Sequence, residues 1–334
     1  MIMEYTYLGR TGLKVSRLCL GTMNFGPNTE EKEAFRIMDC ALEAGINFFD
    51  TANMYGDRNG GWRGWTEEII GRWFSQGGGR REKVVLATKV FEPMKNGLDG
   101  PNDEPGLSAY KIRRHLNASL ERMQTDHLEL YYMHNPAPHA AWEELWGVFE
   151  SLAQDGTVDY IGCSNFAAYQ IAIAQSEAAK RHFLGLTVSQ AKYNLLSRLP
   201  ELELIPATQA LGLGFLCWGP LQGGMLSGSL LRDVASSQRS GKYVDSLSPQ
   251  RQQQLKDYHA LCRSFGQDEA TVSMAWLLSR PGVTAPLVGP RTVKQLEDSL
   301  KALEWTMPQE LDQQLDQLFP GPGASAPKAY MMSR

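Results

Sequence analysis

Short apolar or β-branched runs recur along the chain, each followed by a stretch with helical periodicity. They span Leu18–Gly21, Ile46–Asp50, Val84–Lys89, Leu128–His134, Val158–Ser164, Leu186–Gln190, Gly214–Trp218 and Thr284–Gly289. Several lack strict alternation, as expected of parallel strands covered on both faces. Phe35, Met38 and Leu42 fall at helical spacing ahead of Gly45, and Val293, Leu296, Leu300 and Leu303 repeat that pattern late in the chain. Eight such units in 334 residues predict one α/β domain over residues 1–334, a closed (β/α)8 TIM barrel whose usual size is about 250 residues before insertions.

The surplus falls in extra elements. Tyr5–Leu8 and Leu13–Ser16 flank Gly9-Arg10-Thr11-Gly12 and read as an N-terminal β-hairpin able to plug the barrel floor. Three long βα loops take the rest: Gly56–Trp65, rich in Gly and Trp; Phe91–Leu107, with three prolines; and Pro220–Ser248, rich in Gly and Ser. Loops tolerate insertion, but those at the C-terminal ends of barrel strands are also where substrate is handled.

Composition narrows the functional classes. A net charge of -4 and a pI near 5.9, with no basic run, argue against a nucleic-acid partner. No apolar stretch approaches the roughly 18 residues of a membrane span, and no secretory leader is apparent. Five scattered cysteines without a C-x-x-C pair indicate neither a disulfide framework nor a zinc cage, which fits a reduced cytoplasm. The histidines lack metal-ligand spacing, so no metal is expected. Gly212-Leu213-Gly214 leads into a strand and lacks a third glycine, so no dinucleotide fingerprint of the helix-opening kind is present.

Polar residues stand where apolar strands run out: Asp50 and Tyr55, Lys89, and His134. Lysine is rarely buried unpaired, so Lys89 at the end of Val84–Thr88 calls for a partner. The four types can deliver a proton to a carbonyl. A lysine cation lowers the pKa of a tyrosine, an aspartate holds the lysine, and a histidine hydrogen-bonds the developing oxyanion. Near the C-terminus, Thr292 and Gln295 have capping-box spacing, and Arg291 precedes them. Unpaired N–H groups at a helix start attract anions, and a guanidinium there would suit the 2′-phosphate of NADPH.

Ordered motifs along nearly the whole chain resemble the aldo-keto reductase superfamily. They are Gly21-Thr22-Met23, Gly45 to Gly56, Thr88-Lys89-Val90, Met133-His134-Asn135-Pro136, Gly162 to Phe166, Gln190 with Tyr193-Asn194, Trp218-Gly219-Pro220-Leu221 and Gly289-Pro290-Arg291. The resemblance implies an NADPH-dependent reductase of small carbonyl compounds, with Asp50, Tyr55, Lys89 and His134 as catalytic tetrad and Tyr55 as proton donor. It implies that Ser164, Asn165 and Gln190 hold the nicotinamide carboxamide and that the ring stacks on Trp218. Gly21, Thr22, Met23, Asp50, Pro220, Leu221, Gly223, Gly289, Arg291, Gln295, Asp298 and Ser299 would complete the NADP site. Two departures stand out: Asp298-Ser299 replaces a common Glu-Asn, and Gly219 replaces a serine, which shifts pyrophosphate binding toward backbone N–H groups along Leu221–Leu226.

Met23, Tyr55, Trp62, Trp65, Phe91, His134 and Trp218 would wall an aromatic-rich substrate pocket. A narrower implication is kinship with nucleotide-hexose 2,3-enoyl reductases, where hydride goes to an activated C=C. Potassium-channel β subunits share the fold and tetrad. They often carry an N-terminal extension, whereas here the hairpin begins at Tyr5.

Overall fold

The computed structural model describes residues 3–228 and 247–331. Strands β1 (Tyr5–Tyr7) and β2 (Lys14–Ser16) pair antiparallel, Tyr5 opposite Ser16 and Tyr7 opposite Lys14. This is the expected hairpin, and it does close the floor. Leu8 and Val15 are fully buried among the barrel-interior residues Cys19, Phe48, Ala87, Leu130, Leu216 and Ala285. Gly9 is left-handed (φ 58°), and a Cβ there would lie 2.6 Å from the Gly212 carbonyl oxygen, so only glycine lets the hairpin approach so closely.

Eight parallel strands form the closed barrel: β3 (Cys19–Gly21), β4 (Phe48–Asp50), β5 (Val85–Val90), β6 (Leu128–Met133), β7 (Val158–Ser164), β8 (Leu186–Lys192), β9 (Gly214–Trp218) and β10 (Ala285–Val288), with β10 pairing back onto β3. This is the (β/α)8 barrel that the repeat predicts. Strand β5 is buried at every position, in keeping with its unbroken apolar character. β4 starts two residues later than expected because Asn47 is diverted: its Oδ1 accepts from Ser16 N at 2.8 Å and its Nδ2 donates to Lys14 O at 3.1 Å, binding the hairpin. β6 stops short of His134, whose N–H nevertheless continues the ladder to Val90 O at 3.0 Å.

Helices α1 (Glu31–Glu43), α2 (Trp65–Phe74), α3 (Ala109–Met123), α4 (Trp142–Gln154), α5 (Ala168–Lys180) and α6 (Leu204–Ala210) follow successive strands from β3 to β8, and the helix Val293–Leu300 follows β10. Each buries one face in the layer between helices and barrel. Among the described residues, no helix is long and apolar enough to cross a membrane. The loops after β4 and β5 are long, as expected. The loop after β9 opens with a 3-10 segment, Gln222–Ser227, and residues 229–246 of the expected Pro220–Ser248 insertion lie outside the described residues.

Helices α2 and α3 meet at Gly71, where a Cβ would fall 2.1 Å from the Arg122 carbonyl oxygen and 2.9 Å from the Met123 carbonyl carbon. Backbone cannot yield as a side chain can. Gly71→Ala should therefore destabilise by at least the roughly 1–3 kcal/mol typical of overpacking, seen as a lower urea midpoint with an unchanged slope; an unchanged midpoint would mean the helices separate freely.

Candidate active site

The residues expected from sequence meet at the C-terminal mouth of the barrel. Asp50 ends β4, in register with Gly21 and Ala87, and Lys89 lies one residue before the end of β5. Both side chains are buried, with 1% and 0% exposure. The Lys89 ammonium donates to the Asp50 carboxylate, to Thr51 O at 2.8 Å and to Tyr55 Oη at 3.4 Å. The other Asp50 oxygen accepts from Gln190 Nε2 at 2.9 Å. The Tyr55 and His134 rings meet edge to face, with centroids 6.0 Å apart.

Local sequence explains how Tyr55 is presented. Tyr55 N donates to Ala52 O at 3.0 Å, and the N–H groups of Gly64 and Thr66 return to Tyr55 O. Gly56 follows with φ 121°, and a Cβ there would lie 2.4 Å from Trp62 O, so glycine is required for the loop to fold back on itself.

The electrostatics amend one expectation. Burial is the strongest influence on Tyr55 and raises its pKa. Lys89 pulls in the expected downward direction but does not prevail, and Asp50 adds to the rise. Tyr55 is therefore a neutral phenol with a proton to give. Burial also opposes the charge on Lys89, yet Asp50 and Tyr55 together hold its pKa above the usual lysine value. Burial, with the Lys89 charge adding to it, drives His134 down to about 3, so the imidazole is neutral, and its buried Nδ1 has no hydrogen-bond partner among the described residues.

The remaining expected positions separate into those at the mouth and those engaged elsewhere. Gly21, Thr22 and Met23 close β3, where Thr22 donates through both N and Oγ1 to Asp50 O at 3.0 Å. Ser164 is buried at the end of β7, opposite Gln190. Asn165 is left-handed (φ 63°) and both amide N–H groups are engaged: Nδ2 donates to His134 O and Asn135 Oδ1, while Oδ1 accepts from Trp218 Nε1 at 3.0 Å. Gln190 donates from Nε2 to Asp50, so a nicotinamide carboxamide would share these side chains with contacts already made.

Pro220 is buried, while Gly223 is exposed, with nothing among the described residues where a Cβ would stand. In the run Leu221–Leu226, the N–H groups of Gln222, Gly224 and Leu226 turn back onto Gly219 and Leu221 carbonyls, so the whole run does not face a ligand as expected. Met23, Phe91 and Trp218 are part-buried at strand ends. Trp62 and Trp65 stack on each other, with centroids 4.6 Å apart; Trp62 is exposed, whereas Trp65 packs over Gly26 and Gly61.

At the helix Val293–Leu300, Thr292 caps as expected, its Oγ1 accepting from Gln295 N at 3.3 Å. Gln295 Oε1, however, accepts from Arg291 N rather than Thr292 N. Glu33 Oε1 already accepts from Val293 N at 2.9 Å. A carboxylate thus occupies part of the expected anion-attracting end, leaving the guanidinium as its main attraction. Gly289 O is held by Asn24 Nδ2 at 2.7 Å, and Thr29 Oγ1 reaches Arg291 O at 3.3 Å. Among the described residues the Arg291 side chain has no hydrogen bond or ion pair, so the phosphate of a dinucleotide fits it. Asp298 is taken by Lys294 and Lys301, and Ser299 Oγ by Gln295 O.

One residue escaped the sequence reading. Lys192 stands two places beyond Gln190 on β8, on the same strand face, with Nζ 5.7 Å from the centre of a Trp218 ring and no acidic partner among the described residues. Strand alternation from Gln190 is the signal that would have found it.

A model described as the aldo/keto reductase family matches residues 17–319. A Bacillus subtilis relative named an uncharacterized oxidoreductase, YrpG, is 56% identical over 98% of this chain and 99% of its own length. A rice protein (Oryza sativa subsp. japonica) named a probable voltage-gated potassium channel subunit beta is 33% identical over 90% and 92%. A putative aryl-alcohol dehydrogenase of Schizosaccharomyces pombe is 30% identical over 92% and 93%.

Proposed function

The chain belongs to the aldo/keto reductase family, and from that premise we propose that it is an NADPH-dependent reductase of small carbonyl compounds in which Tyr55 protonates the carbonyl oxygen. The oxidoreductase name of the Bacillus subtilis relative agrees with the class of reaction. One observation carries the proposal. An ammonium has no lone pair, so Lys89 must donate to the Tyr55 oxygen, and the phenolic proton is directed away from it.

NADPH, when bound, would supply the hydride. Arg291 would hold its 2′-phosphate, and Trp218 with Ser164, Asn165 and Gln190 its nicotinamide end. As charge develops on the carbonyl oxygen, Tyr55 gives up its proton, and the fixed charge of Lys89 stabilises the tyrosinate that remains. Asp50 and Gln190 keep Lys89 in place. His134 is neutral and can donate a hydrogen bond to the same oxygen without competing as an acid.

The test is loss of NADPH absorbance against aldehydes, ketones, quinones and nucleotide-linked keto or enoyl sugars. Turnover of simple carbonyls with NADPH is expected. A faster enoyl-sugar reaction would move the reading to C=C reduction. Tight NADPH binding without turnover on any member of the panel would instead favour a cofactor-binding regulatory subunit; the rice relative is named a probable channel subunit.

Arg291→Ala should weaken NADPH binding about ten- to a hundredfold, the equivalent of one charge-assisted contact of about 1.5–3 kcal/mol, and leave NADH binding unchanged. Fluorescence titration of both cofactors measures this, and equal losses would make Arg291 purely structural.

A further inference from the structure

Three more polar side chains are buried beside the site without a part in this chemistry: Asn53, His115 and Asp99, at 1%, 0% and 2% exposure. Asn53 Nδ2 lies 2.9 Å from His115 Nδ1, and His115 Nε2 lies 3.0 Å from Asp99 Oδ1. An amide NH2 can only donate, so Nδ1 accepts, and the proton of a neutral ring sits on Nε2, directed at Asp99. Burial drives His115 down to about 4. Asp99 opposes that fall, and Lys111 and Arg122 add to it, so the ring is neutral near pH 7.

Both ends of this line are anchored in the loops that follow β4 and β5. Asp99 accepts from Met94 N at 3.0 and 2.8 Å and from Lys95 N at 3.0 Å, closing the turn of the loop after β5 where Lys95 is left-handed (φ 59°). That loop begins at Phe91. At the other end, Asn53 N donates to Lys89 O at 3.2 Å, and Asn53 lies two residues before Tyr55 in the same turn. The Arg63 guanidinium adds a second tie between the two loops through Pro93 O. Apolar groups could fill this space without the cost of desolvating three polar side chains, so what the polar line adds is direction.

We infer that Asn53, His115 and Asp99 are positioning residues, forming a hydrogen-bonded strut that fixes Tyr55 relative to Lys89 and holds the β5 loop at a set distance from both. The inference rests on Tyr55 being the proton donor. Asn53 governs the Tyr55 turn and therefore turnover; Asp99 governs the β5 loop and therefore binding of the carbonyl compound.

The strut is tested with Asn53→Leu and with two replacements of the ring. His115→Asn keeps an acceptor near Nδ1 for Asn53 and loses Asp99, whereas His115→Gln keeps a donor near Nε2 for Asp99 and loses Asn53. Asn53→Leu and His115→Gln are expected to lower kcat about 10- to 100-fold, the scale of a misplacement near 1 Å, with KM little changed and a larger solvent deuterium isotope effect. His115→Asn is expected to raise KM with kcat largely kept. If Asn53→Leu does not fold, the two ring variants decide alone: equal kcat and KM in both would overturn the strut. Variants that only melt at lower temperature, with wild-type kcat and isotope effect below it, would also overturn it. Tyr55→Phe run alongside separates the two ideas. If it is inactive while the strut variants keep wild-type kinetics, the strut alone fails; if it keeps turnover, the donor assignment fails and takes the strut with it.

Discussion

Tyr55→Phe should lower kcat by about 100- to 10,000-fold, the range over which a positioned general acid contributes, while NADPH titrates as in the wild type. The substitution removes one oxygen from a part-buried ring and leaves the Asp50, Lys89 and Gln190 contacts intact. Lys89 loses only its weakest bond, the one at 3.4 Å. Stability should therefore change little, which separates loss of the proton from loss of the fold. Substantial turnover in this variant, measured by NADPH absorbance on the best carbonyl of the panel, would rule out Tyr55 as donor.

Lys89→Met acts on stability as well as on rate. It strands the Asp50 carboxylate at 1% exposure without its cation, and breaking one side of a buried pair costs about 3–5 kcal/mol. Turnover should fall at least about 100-fold, the loss typical of deleting one preorganised donor. The pH dependence has a definite sign. Burial already raises the Asp50 pKa against the pull of Lys89, and without Lys89 it rises further. A carboxyl whose folded pKa lies above its unfolded value penalises the folded state where the unfolded chain would be ionised. The deficit should thus be full above the folded pKa and shrink as pH falls through it. Urea unfolding at two pH values measures this, and Asp50→Asn added to Lys89→Met should restore part of the stability. A deficit that stays the same from above to well below the folded pKa would mean that loss of Lys89 does not raise the Asp50 pKa.

Much of the barrel was legible because it depends on local pattern. Val158–Ser164 and Gly214–Trp218 coincide with their strands residue for residue. The limits lie where a side chain spends its hydrogen bonds over a distance. Asn47 reads as strand yet is drawn to the hairpin, and the Gln190 amide donates to Asp50, a contact that no local pattern signals. The Tyr55 pKa shows the same limit: the lysine and its direction of influence were readable, but the desolvation that outweighs it was not. His115 lies 62 residues from Asn53, and no periodicity joins them.

The Asp50–Gln190 contact, 140 residues apart in sequence, also bears on when the site comes into being. All four residues proposed for catalysis are translated by residue 134, but Asp50 is held from β8, and the ring of strands closes only when Leu287 pairs with Cys19. Such long-range pairing pays its loop-closure entropy before it gains contacts and is correspondingly slow. During refolding, recovery of turnover should therefore lag behind recovery of helical signal, and activity serves as a clock for the final seam of the barrel rather than for the segments that carry the reactive groups.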